Sequence, residues 1–171
     1  MLSTFPDNVG QVATPPPGYL HFGTLKLDKP PFDDPRVRQA LQHLIDMNQL
    51  INGVAEGLAE PALAHDFSFF GREFPWSLDE VIEMGGNHAY DPATAKQLLS
   101  AAGFENGIGR TMTGIYDIGD NLAAETYRAI ANMWRQGGID LQAEEIGVAD
   151  LTRLTNAFYG KDWGDLDFVG Y

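Results

Sequence analysis

Three aspartates near the end of the chain are spaced so that their carboxylates could form a binding or catalytic site. Asp165 and Asp167 follow Asp162 and have the period-two spacing of residues on one face of a strand. Carboxylates in this arrangement could bind a cation or the amino group of a substrate. Calcium loops built from oxygen ligands use more acids at tighter spacing, which argues against a cation site.

A second acidic pair, Glu144 and Glu145, occupies adjacent positions in a predicted strand. Successive side chains of a strand point to opposite faces of the sheet, so these two carboxylates cannot form a catalytic pair with each other. We interpret them as the solvated end of a strand.

Other signatures of catalysis or metal binding are missing from the sequence. The chain has no cysteine, and its four histidines form no His-Glu-x-x-His pattern. Gly107-Ile108-Gly109 precedes a predicted strand instead of following one, so it is not a dinucleotide loop. No serine has the Gly-x-Ser-x-Gly setting of a nucleophile. The sequence therefore predicts no catalytic residue, no resident metal and no cofactor.

Aspartates mark the beginnings of three predicted helices. Asp34 and Asp91 each precede a proline, and a capping aspartate followed by proline at the first helical position favours helix initiation. Helices are expected over 35–45 and 92–103, with Asp46 capping a short helix between them. Arg36 and Arg38 are expected to pair with Asp33, Asp34 or a neighbouring element.

The second half of the chain alternates strands and helices. Strands are expected over 110–117, 139–146 and 165–171, and helices over 121–136 and 148–159; the first of these helices should face inward through Leu122, Ile130, Met133 and Trp134. Short strands are expected over 19–22 and 24–27.

Residues 1–18, rich in proline, are interpreted as an extended lead-in, and residues 19–171 as a single α/β domain. Aromatic residues ending the last strand, Phe168 and Tyr171, should reach the crevice where α/β folds bind ligands.

Length and charge exclude several classes of protein. A chain of 171 residues with 44% hydrophobic residues can bury a core as one domain. Its net charge of −13 disfavours nucleic acid and anionic membranes as partners. No apolar run approaches the ~20 residues needed to cross a bilayer, and the first residues do not resemble a secretory signal.

Three stretches of the chain together resemble the family 5 extracellular solute-binding proteins of ABC importers. They are residues 29–46, 90–104 and 138–141, and the closing Gly164-Asp165-Leu166-Asp167-Phe168-Val169-Gly170-Tyr171 resembles the segment that crosses between lobes in that family. The resemblance runs over about residues 19–171. It implies the C-terminal lobe of a type II periplasmic-binding-protein fold, with a mixed sheet flanked by helices, and a chain that is a fragment of a longer parent.

The resemblance also implies a function and a set of residues. A solute, peptide-like or related, would be trapped between this lobe and a missing N-terminal lobe, and the closed form would be presented to a membrane permease. Such receptors work in the periplasm or at the extracellular face of the cytoplasmic membrane. Matching the family's pattern position by position gives four ligand-binding candidates, Ile146, Phe168, Gly170 and Tyr171.

Two alternative functions remain open from the residues alone. A small hydrolase could use scattered acids such as Asp165 and Asp167, and a stand-alone interaction domain could share the same architecture. The connection from Gly23 to Pro30 departs from the family's pattern, in which an asparagine usually follows the phenylalanine at position 22. The identity of the solute therefore does not follow from the sequence.

Overall fold

The computed structural model describes residues 23–57, 80, 83, 89–117, 121–147, 150–158 and 162–170. The predicted lead-in over 1–18, the strand over 19–22 and the candidate ligand residue Tyr171 lie outside these residues.

Aspartate side chains cap the first three helices, as the sequence predicts. Helix α1 spans Pro35–His43, and Asp34 accepts a hydrogen bond from the Arg36 amide. The short helix α2, Met47–Gln49, is capped by Asp46 and runs into a π-helical turn over Leu50–Val54. Helix α3, Pro92–Ala101, begins after Asp91, which accepts from two backbone amides of its first turn. These bonds satisfy amides that a helix leaves without an internal partner.

The remaining elements form one mixed sheet with its crossover helices. The strands are β1 (Gly23–Leu25), β2 (Met112–Asp117), β3 (Leu141–Ile146) and β4 (Phe168–Gly170). Helix α4 (Asn121–Gln136) follows β2, and α5 (Leu151–Phe158) follows β3. The sheet order is β1-β4-β2-β3, with β2, β3 and β4 parallel and β1 antiparallel to β4. The predicted mixed sheet flanked by helices is confirmed.

Each face of the sheet packs against its own core. The larger core joins the sheet to α1, α3 and α4, and Trp134 crosses it to donate a hydrogen bond of 3.0 Å to the Leu41 carbonyl. The smaller core lies under α5 and contains Ile115, Ile146, Leu154, Ala157, Leu166 and Val169. Strands β2, β3 and β4 each contribute buried side chains to both cores, as strands of an α/β sheet covered on both faces do.

Helix α4 matches its predicted bounds, but one of its predicted inward residues is wrong. Leu122 is exposed, whereas Ala123, Ala124 and Tyr127 are buried. The apolar stripe of this helix starts one residue later than Leu122, and one residue turns a helix by about 100°. Met133 and Trp134 are buried as expected.

The two arginines of α1 serve the fold, as predicted. The Arg36 guanidinium pairs with Asp34 at 2.6 Å and donates to the Ala101 carbonyl at 2.7 Å, which ties α1 to the end of α3. Arg38 donates to the carbonyls of Phe32 and Asp33. Hydrogen bonding with Arg36 lowers the pKa of Asp34 below its usual value.

Candidate functional site

The carboxyl ends of three parallel strands lie side by side at one edge of the sheet. Asp117, the last residue of β2, pairs with Ile146, the last residue of β3, and Tyr116 pairs with Gly170, the last residue of β4. In open α/β sheets ligands bind outside the carboxyl ends of the strands. This carboxyl edge is therefore the candidate site.

Two of the four predicted ligand residues have buried side chains below this edge. Ile146 is part of the smaller core. The Phe168 ring lies in the larger core, with its centroid 5.8 Å from that of Tyr127 and 5.6 Å from that of Trp134, both in edge-on geometry. Gly170 is buried at the edge itself, and Tyr171 follows it outside the described residues. The ligand-binding role of all four residues remains a prediction.

Gly170 fits its position only because it lacks a side chain. A Cβ atom built on it would lie 2.8 Å from Cζ of Tyr127 and 2.9 Å from Cβ of Tyr116. These distances are shorter than van der Waals contact, and Cβ of Tyr116 is fixed by its strand. Two tyrosine rings, 5.5 Å apart at their centroids, thus close off one face of the end of β4.

A hydrogen-bonded network joins strands β2 and β3 to helix α4 beside this edge. The Tyr116 hydroxyl donates to Oε1 of Glu145 at 2.7 Å, and Nε of Arg128 donates to the same oxygen at 2.7 Å. Nη1 of Arg128 also donates to Glu125. Hydrogen bonds from Arg128 and then Tyr116 lower the pKa of Glu145 to about 2. Burial, followed by the bond to Glu145, raises the pKa of Tyr116 to about 12.

Only the opposite directions of Glu144 and Glu145 in this region were predictable from the sequence. Glu144 and Glu145 do point to opposite faces: Glu145 pairs with Arg128 of α4, and Glu144 pairs with Arg153 of α5 at 2.6 Å. The roles of Tyr116 and Arg128 were missed. The available signal is the strand alternation, which places Tyr116 and Glu145 on one face once their strands are paired.

Asp162, Asp165 and Asp167, the aspartates considered above as a possible binding or catalytic site, do not form a ligand site. Asp167 is fully buried at the opposite, amino edge of the sheet, where Arg110 binds both of its carboxylate oxygens at 2.6 and 2.9 Å. Lys29 pairs with it at 3.1 Å and the Thr113 amide donates at 2.9 Å. Asp162 and Asp165 are exposed. Within the described residues, no group of acids or histidines could hold a metal ion.

Burial of Asp167 would raise its pKa, and the surrounding donors reverse that effect. Bonds from Arg110, the Thr113 amide and Lys29 lower the pKa of this carboxyl to about 2. The carboxylate is therefore ionised and occupied by groups of the chain itself, which leaves it unsuited to bind a substrate or act as a general base.

A groove of about 590 Å³ opens on the α5 side of the sheet, beside the amino halves of β2 and β3. Its polar groups bond to one another: Glu144 with Arg153, the Thr113 hydroxyl with the Asp165 carbonyl, and Asp162 with the Gly164 amide. These internal bonds favour the carboxyl edge over the groove as the solute site.

Comparison with known proteins gives one family. Residues 4–169 match the family model described as bacterial extracellular solute-binding proteins, family 5 Middle. The chain is 34% identical over 110 residues to the glutathione-binding protein GsiB of Pectobacterium atrosepticum, covering 62% of this chain and 19% of that protein. It is 36% identical over 92 residues to heme-binding protein A of Haemophilus influenzae, covering 52% of this chain and 14% of that protein.

A solved structure shares the fold. The periplasmic binding protein DppA from Helicobacter pylori, in complex with the peptide STSA, superposes with a TM-score of 0.65 and 22% identity over 88% of this chain. The match covers 26% of the DppA chain, and this chain spans less than a third of the proteins it resembles. Its predicted fold, a lobe of the type II periplasmic-binding-protein class, is confirmed. Among the described residues, no helix has the length and apolarity needed to cross a membrane.

Proposed function

The chain belongs to the bacterial extracellular solute-binding proteins of family 5, and we propose that it supplies one lobe of a receptor that captures a small solute for an ABC importer. The match over residues 4–169 is the observation that carries this proposal. The relatives are named as binders of glutathione and heme, and the DppA structure holds a peptide. We infer a peptide-like or related solute for this chain.

The carboxyl edge of the sheet is the surface we assign to the solute. Strands β2, β3 and β4 all end there, and ligand crevices of α/β sheets lie at such edges. Gly170 brings the backbone to this edge, and Tyr171 continues it as the proposed side-chain contact. Ile146 and Phe168 hold the strand ends from beneath, since both side chains are buried.

The mechanism is conformational and involves no chemical step. A second lobe closes over the solute, and the closed form docks on the membrane permease at the periplasmic or extracellular face. The engaged state of Asp167 speaks against the hydrolase that Asp165 and Asp167 could form. We therefore propose that the protein is not an enzyme.

One side of a cleft cannot exclude water from its polar contacts, so this chain alone should bind weakly. The test is isothermal titration calorimetry with glutathione, heme and the peptide STSA. We would compare this chain with the receptor purified from source cells by antiserum raised against it. The expected result is a larger parent protein that binds one of these probes at about micromolar Kd or better, with no comparable binding by the chain alone.

Two results would contradict the proposal. One is a native protein of this chain's size found in the cytosol with no affinity for any probe. The other is import of peptides, glutathione and heme that is unchanged after deletion of the gene. Binding at micromolar Kd or better by the isolated chain would contradict the requirement for a second lobe.

A further inference from the structure

The end of β4 is shaped by one side chain of the neighbouring strand. Tyr116 lies directly across from Gly170 in the parallel pair, and its Cβ would be 2.9 Å from a Cβ at that glycine. We propose that Tyr116 is a positioning residue, which fixes the point where the backbone leaves the sheet toward residue 171. This inference rests on the proposed function, because it concerns the same solute-facing edge.

Tyr116 can serve in this way because its ring is held at both ends. The residue is only 4% exposed, and its ring centroid lies 5.5 Å from that of Tyr127, so the ring is packed inside the fold. Its hydroxyl donates to Glu145, which in turn accepts from Arg128 of α4 at 2.7 Å. Helix α4 thereby helps to fix the position of Tyr116 on β2. Tyr116 in turn limits how closely β4 can approach at Gly170.

The Tyr116–Glu145–Arg128 network differs from an ordinary surface ion pair because it includes a hydrogen bond to strand β2. Glu144, one residue earlier on the same strand, forms a similar pair with Arg153 on the other face of the sheet. That pair has no described hydrogen bond to β2 or β4. Exposed ion pairs contribute little to stability, so the Glu145 network should affect local geometry at the strand ends more than global unfolding. Glu144 therefore provides a matched control.

The test is residue-resolved amide hydrogen exchange of this chain, measured by NMR. The variants are Tyr116→Phe, which removes only the hydroxyl, and Glu145→Ala, with Glu144→Ala as control. Losing one hydrogen bond should speed exchange at Val169 and Gly170 by about 5- to 10-fold through local opening. The urea midpoint should stay near that of the parent chain, and Glu144→Ala should leave exchange in β4 unchanged.

Three results would overturn the inference. The first is unchanged exchange at Val169 and Gly170 in Tyr116→Phe. The second is faster exchange throughout the sheet with a lower urea midpoint, which would make the hydroxyl a general stabilising group. The third is an equal response to Glu144→Ala. Because this measurement needs no solute, a native protein without affinity for any probe would contradict the proposed function and leave this result unaltered.

Discussion

Two carboxylates at opposite edges of one sheet have the same pKa, about 2, in different surroundings. Asp167, at the amino edge, has no exposed surface and is surrounded by Arg110, Lys29 and the Thr113 amide. Glu145, at the carboxyl edge, has a side chain that is 39% exposed and bonds to Arg128 and Tyr116. A low pKa alone therefore does not reveal what a carboxylate contributes.

The difference lies in what remains when each carboxylate is removed. Without Asp167, whose side chain has no exposed surface, a backbone amide and two cations that are 38% and 33% exposed all lose the carboxylate that they share, and the loss of several charged hydrogen bonds at once is costly. Without Glu145, Arg128 keeps its bond to Glu125 and is 43% exposed, so that only the Tyr116 hydroxyl loses an acceptor at a partly buried position. We expect the amino edge to hold the lobe together and the carboxyl edge to set the geometry of the proposed solute-facing surface.

The strongest test of this comparison is Asp167→Asn. Loss of the charge leaves Arg110 and Lys29 without their carboxylate, and the expected loss of unfolding free energy is about 3 kcal/mol. Urea unfolding followed by circular dichroism measures it. The control is Asp165→Asn, since the Asp165 side chain is exposed and should cost less than about 0.5 kcal/mol. Equal losses of unfolding free energy in the two variants would contradict the proposed difference between the amino and carboxyl edges.

Gly170→Ala should have the next largest effect. The added methyl group meets Tyr116 and Tyr127 at 2.8 to 2.9 Å, and overpacking of this kind costs about 2 kcal/mol. Gly53→Ala is the matched control, because a Cβ at Gly53 meets no atom within 4 Å. Thermal unfolding of both variants checks the prediction. A Gly170→Ala chain as stable as the parent would show that the tyrosines yield easily and do not constrain β4.

Acid should weaken both edges over the same range of pH. Each carboxyl has a folded pKa of about 2, below the ordinary values of 3.8 for Asp and 4.5 for Glu. The stability that each provides is therefore complete above its ordinary value and is lost as the pH falls toward about 2. Urea midpoints measured from about pH 5 to about pH 2 should fall in the parent chain and fall less in Asp167→Asn. The same fall in both would assign the acid sensitivity to other groups.

Glu145→Ala should change global stability least. The urea midpoint is expected to shift less than in Gly170→Ala, because the ion pair with Arg128 is exposed to water and only the Tyr116 hydroxyl loses an acceptor. If the carboxyl edge serves solute binding, Glu145→Ala should nevertheless weaken binding in the complete receptor while Glu144→Ala does not. Titration calorimetry with a solute identified for that receptor measures this difference. Equal affinities in the two variants would contradict a role of the carboxyl edge in solute binding.

Much of the fold was predictable because its signals are local. Asp34, Asp46 and Asp91 each cap a helix by accepting from amides two or three residues away. The opposite directions of Glu144 and Glu145 follow from the period of a single strand. The error at Leu122 is also local, because only the start of the apolar stripe of α4 was placed one residue too early, while Met133 and Trp134 are buried as predicted.

The candidate site was less predictable because its contacts are distant in the sequence. Arg110 and Asp167 are separated by 57 residues, and Tyr116 and Glu145 by 29. Nothing in the spacing of the acids distinguishes buried Asp167 from exposed Asp165. Of the ligand residues predicted from the family resemblance, Ile146 and Phe168 have buried side chains, Gly170 has none, and Tyr171 lies outside the described residues. Their role in binding stays a prediction.

Local patterns in the sequence were sufficient to predict the helix starts, the order of strands and helices, and the family resemblance. Hydrogen bonds within a few residues and the periods of helix and strand are sufficient for the first two, and the three motif stretches for the third. Three features required the folded structure: the acid that is buried among cations, the glycine that is enclosed by tyrosines, and the side chains that meet at the carboxyl edge. These outcomes depend on strand register and helix packing, which bring together residues that no local pattern links.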